Sequence, residues 1–94
     1  MPYIKQETRA KFDPEVNILI SKLEKEAPNS VDGMVNYILT RLLDSLYDTK
    51  YVDLNRAIGI LECVKMEFMR RKIAPYEDRM KNERGDVYLG GTQL

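Results

Sequence analysis

The stretch Asp53–Ile73, DLNRAIGILECVKMEFMRRKI, is the longest uninterrupted run of helical spacing in the chain, and the other segments must pack around it. At about 100° per residue, Leu54, Ala57, Ile58, Leu61, Val64 and Phe68 line up as one apolar seam. Beside it runs a second stripe of Met66, Met69 and Ile73, with Asn55 and Glu62 at the same angular position. The two stripes together cover more than the arc of roughly 100° that a surface helix buries. A helix this apolar needs neighbours on two sides. Asp53 is placed to act as N-cap, and Arg70, Arg71 and Lys72 suit the negative end of the helix dipole.

Two charges fall inside the wide apolar arc, Glu62 among Ile58, Met66 and Met69, and Lys65 close to Leu61 and Phe68. Lys65 can lay its stem over the core and reach water, with Glu62 as its i,i+3 partner. Alternatively, Glu62 lines a subunit interface or ligand pocket, where a half-buried carboxylate is costly unless paired.

At 94 residues the chain is expected to form a single helical domain. A chain of this size has a thin core, since fewer side chains are available to supply the roughly 1.5 to 3 kcal/mol that each buried Leu or Ile contributes. Self-association would relieve that shortage and use the second stripe. Fifteen basic and fifteen acidic residues cancel, so no excess positive field gathers nucleic acid. No run approaches the roughly 18 apolar residues of a membrane span, and MPYIKQETR lacks the apolar core of a signal peptide. The expectation is a cytoplasmic protein with neither nucleic-acid nor membrane partners. With one cysteine, Cys63, and no histidine, an internal disulfide, Cys/His zinc sites and histidine-based catalysis are excluded.

Upstream, Asp13-Pro14-Glu15 reads as a helix start, with Val16, Leu19, Ile20 and Leu23 as the packing face. Ala27-Pro28-Asn29-Ser30 turns the chain into a second helix whose apolar arc is Val35, Ile38, Leu39, Leu42, Leu43 and Leu46. Its reverse side gathers Asn36, Tyr37, Thr40 and Asp44, with Arg41 at the edge. That strip is either solvated surface or a binding and assembly surface. Downstream, Pro75 must stop or bend the long helix, and Gly85 suits a helix terminator. The predicted helices are approximately 13–26, 31–47, 53–73 and 75–84, with short extended arms at Tyr3-Ile4 and over 85–94, where Val87 to Leu89 can form a brief strand or arm. The fold class is all-α, with three main helices, the third kinked or broken at Pro75, in a helical homo-oligomer.

No phosphate loop, GxSxG, HExxH or EF-hand pattern occurs. Carboxylate chemistry is left for an enzyme, with Glu62, Glu67, Glu77 and Asp78 as magnesium ligands of a nucleotide pyrophosphatase, but Glu62 and Glu67 lie on different helix faces. Neither cofactor, metal nor catalytic residue is assigned. The inventory fits recognition of a small anion better, because Arg70, Arg71 and Lys72 lie near Tyr76 across the Pro75 bend. Guanidinium forks beside an aromatic face suit phosphates and bases. In a symmetric interface each such cluster is doubled, and Tyr3, Tyr37, Tyr76 and Tyr88 supply stacking. Glu62, Lys65, Asn36, Tyr37, Thr40 and Tyr3 complete the expected ligand-binding set with Arg70, Arg71 and Tyr76.

The blocks Met1-Pro2-Tyr3-Ile4, Asn36-Tyr37 with Thr40, Leu61-Glu62-Cys63 with Lys65 and Glu67, Arg70-Arg71, Ala74-Pro75-Tyr76-Glu77-Asp78 and Gly85-Asp86-Val87-Tyr88 cover most of the chain. Through them it resembles an uncharacterised family of short phage and prokaryotic proteins. That resemblance implies an accessory gene with a counter-defence role in the host cytoplasm. The leading expectation is a non-enzymatic protein that sequesters a nucleotide-like signal in intersubunit pockets. The alternative is a helical interaction module that inhibits a host protein.

Overall fold

The computed structural model describes residues 1–90. Among them every regular element is helical: α1 (Gln6–Glu24), α2 (Pro28–Leu46), α3 (Tyr51–Phe68), a π turn (Met69–Ile73) and α4 (Ala74–Arg84). The backbone clusters into two compact units, Met1–Gly59 and Ile60–Leu94. The part of the predicted tail beyond residue 90 lies outside the described residues.

In the first unit α1 and α2 form a helical hairpin. The predicted start at Asp13 is corrected: α1 begins at Gln6 and carries Pro14 in its interior, with no side-chain cap at its N-terminus. Glu7, Arg9, Ala10 and Lys11 are good helix formers, and they extend the helix upstream although Pro14 cannot donate to the carbonyl of Ala10. Pro14→Ala is therefore expected to stabilise the fold by about 2 kcal/mol, with Asp13→Ala near neutral. A helix beginning at Asp13 would give the reverse, a loss of about 1 kcal/mol for Asp13→Ala; thermal denaturation of the two variants separates these cases. The arm before α1 is tied down where Arg9 Nε donates to the carbonyl of Ile4 at 2.7 Å.

Helix α2 starts at Pro28 rather than near residue 31, with the proline at its first position, where a missing N–H costs nothing. At the other end, Asp48 accepts from the Thr49 N–H at 2.7 Å. Asp53 does not cap α3. It sits inside the first turn and bridges Arg56 at 3.3 Å, while the Arg56 guanidinium lies 5.6 Å from the centre of the Tyr47 ring. These three residues close the α2–α3 turn.

The expected apolar core is mostly uncovered. Among the described residues Ala57 alone is buried, at 8% exposure. In the hairpin, Leu23, Val31, Met34, Ile38 and Leu43 are half-buried, but Val16, Leu19 and Ile20 of the predicted α1 face are exposed. The predicted α2 arc splits in the same way. Val35, Leu39, Leu42 and Leu46 remain exposed, up to 72% at Leu46.

The second unit contains the end of α3, the π turn and α4, and among its described residues there is no second helix for them to pack on. Pro75 has no N–H for the carbonyl of Arg71, and its ring would press on that carbonyl. The chain relieves the conflict just before it: the Ala74 N–H donates to the Met69 carbonyl, five residues back, instead of to residue 70. A π turn inserts one residue into the α-helical count, so everything after it lags by about 100°. That lag corrects the expected stripe of Met66, Met69 and Ile73. With one residue inserted, Ile73, Tyr76 and Met80 continue the line of Leu61, Val64 and Phe68, and Met66 and Met69 are left on a neighbouring face. Gly85 ends α4 with φ of 93°, a backbone angle that favours glycine, and its N–H donates to the Lys81 carbonyl at 2.9 Å. No strand occurs among the described residues, so Asp86 to Leu89 form an arm with Val87, Tyr88 and Leu89 exposed.

Candidate ligand-binding surface

The sequence-predicted ligand residues fall into two groups, one in each unit. In the first unit the strip on α2 is internally bonded. The Thr40 hydroxyl donates to the Asn36 carbonyl at 2.8 Å and lies 3.3 Å from Asn36 Oδ1. One turn across, Arg41 Nη1 donates to the Tyr37 hydroxyl at 3.0 Å, with its guanidinium carbon 5.9 Å from the ring centre. Both pairs follow from i,i+4 spacing on a helix. Tyr37 also borders a groove of about 360 Å³ between α1 and α2, walled by Leu19, Leu23, Gly33, Met34 and Ile38.

In the second unit Glu62 and Lys65 pair at 3.6 Å across one turn, both more than half exposed. Glu62 is therefore not the half-buried carboxylate of the alternative reading within a single chain. Arg70 bridges Glu67, while Arg71 and Lys72 share the π turn with it. Tyr76 follows on α4, and the Arg79 guanidinium lies 5.6 Å from the centre of its ring. Arg79 was absent from the predicted set, although its i,i+3 spacing from Tyr76 is visible in the sequence.

A cavity of about 510 Å³ lies between α4 and the arm after Gly85, lined in part by Asp78, Met80, Lys81, Arg84 and Tyr88. The predicted cations Arg70 and Arg71 do not line it. No group of three Asp, Glu or Cys side chains able to hold a metal ion occurs among the described residues. Cys63 is an exposed free thiol. No helix among the described residues is long and apolar enough to cross a membrane.

Residues 1–87 match the family model of a domain of unknown function, DUF6899. The chain belongs to the DUF6899 family. The DUF6899 match spans most of both units, from the N-terminal arm through the helices to Val87, and so includes both groups of predicted ligand residues. No curated protein and no solved structure matches the chain.

Proposed function

We propose that this DUF6899 protein is a non-enzymatic binder that assembles with copies of itself and holds a small nucleotide-like anion between them. The observation that carries the reading is the exposure of large apolar side chains on every long helix, with Ala57 the one buried residue among those described. Helices with little tertiary packing are marginal in water, and covering these faces with a second copy supplies the missing core. Exposed apolar faces rimmed by polar residues mark interaction sites. Arg71 and Lys72 in the π turn, with the Tyr76 ring beyond them, offer charge and a stacking face for phosphate and base. The resemblance to short phage proteins gives such sequestration a counter-defence role in the host cytoplasm.

Titration calorimetry against a panel of nucleotides and cyclic nucleotides tests the reading. A nucleotide that binds the parent is expected to bind Arg71→Ala at least tenfold more weakly, since a hydrogen bond to a charged group contributes about 1.5–3 kcal/mol. Absence of heat and of thermal stabilisation across the whole panel would remove the ligand half of the proposal. The exposed stripe Val35, Leu39, Leu42 and Leu46 also suits a foreign helix. A stoichiometric host protein recovered from lysate, with no small ligand, would favour inhibition of that protein instead.

A further inference from the structure

The second unit specifies how two copies meet. Across the π turn, Leu61, Val64, Phe68, Ile73, Tyr76 and Met80 form one line with steps of 3, 4, 5, 3 and 4 residues. The step of 5 falls on the π turn, where one extra residue is accommodated. On either side, the alternation of 3 and 4 is the spacing of a seam between two paired helices. Phe68 and Val64 on this line are 58% and 59% exposed. The seam is therefore largely open on this unit.

We propose that the helix from Ile60 to Arg84 pairs antiparallel with the same helix of a second copy, across a two-fold axis at the π turn. This deepens the self-assembly proposed above and rests on it. In that register Phe68 meets Ile73 of the other copy, Val64 meets Tyr76, and Leu61 meets Met80. Charge complementarity supports this direction. With the π lag counted, Lys65 and Glu77 lie on the same flank of the seam and at equal distances from the axis. In an antiparallel two-fold pair each therefore faces its opposite charge, and the contact occurs twice. On the other flank Glu67, already bridged to Arg70, lies within about two residues of the level of Lys72 of the second copy. A parallel pairing would instead set each flank against the opposite flank of the second copy, keeping Lys65 and Glu77 apart. The antiparallel axis also brings Lys72 of both copies onto one flank beside the axis, a doubled cation for an anionic ligand.

Disulfide trapping tests the arrangement in the full chain with Cys63→Ser as background. A mixture of Lys65→Cys and Glu77→Cys chains is expected to give a crosslinked heterodimer under mild oxidation, with little crosslinking of either variant alone. Lys65→Glu is expected to weaken self-association about tenfold, and adding Glu77→Lys to restore it. Crosslinking of each variant to itself, or a heterodimer no more abundant than the self-crosslinked species, would overturn the antiparallel pairing. If light scattering still shows an oligomer in that case, self-assembly stands and this interface is wrong. A monomer would remove both.

Discussion

Phe68→Asp is expected to dissolve the assembly. In the single chain this ring is 58% exposed, and a substitution at such a site normally changes the stability of a monomer by no more than about 0.5 kcal/mol. At the centre of a two-fold seam the same change removes an aromatic side chain whose loss from a packed site costs about 3–5 kcal/mol. It also puts an unpaired carboxylate where water is excluded. The two contexts differ by well over a hundredfold in association constant. Sedimentation equilibrium of Phe68→Asp beside the parent measures the difference. An unchanged oligomer would place the contact on other residues.

Pro75→Ala is expected to produce opposite effects on the helix and on the assembly. Alanine restores the N–H that Pro75 lacks, so the carbonyl of Arg71 regains its ordinary α-helical donor and the π turn loses its cause. In a helix interior this exchange is worth up to about 3 kcal/mol, and the isolated helix becomes more stable. The same change removes the lag of about 100°. Ile73, Tyr76 and Met80 then rotate away from the line of Leu61, Val64 and Phe68. Losing three apolar side chains from the seam, at about 1.5 kcal/mol or more each, weakens association by a thousandfold or more. Circular dichroism and light scattering on the same sample should show helicity maintained or raised while the mass falls. A variant that assembles as tightly as the parent would show that the π turn does not set the phase of the interface.

The helical class was legible because the 3.6-residue period dominates the sequence and Pro28, Pro75 and Gly85 punctuate it. The beginning of α1 was misread, since Asp13-Pro14-Glu15 has the composition of a helix start while the better helix formers lie upstream of it. The bend at Pro75 was foreseen, but not its form. Whether a proline stops a helix, kinks it or shifts it by one residue depends on which carbonyl accepts the Ala74 N–H, and side-chain pattern does not specify that. The error moved Ile73 onto the stripe of Met66 and Met69. The pair of Glu62 with Lys65 was legible from i,i+3 spacing, whereas the bond from Thr40 to the Asn36 carbonyl was not read from the strip that holds both. Apolar residues expected in the core, such as Leu42 at 50% exposure, are left open, because periodicity does not say which apolar positions of a helix the same chain covers.

The central claim is that the apolar faces left open on one copy are covered by a second. Light scattering coupled to size exclusion, repeated over a hundredfold range of protein concentration, tests it most directly. The account predicts a mass that is a multiple of 11.0 kDa, falling toward that of the single chain on dilution as the helical signal weakens. A single 11.0 kDa species at every concentration, with its full helical signal intact, would contradict it.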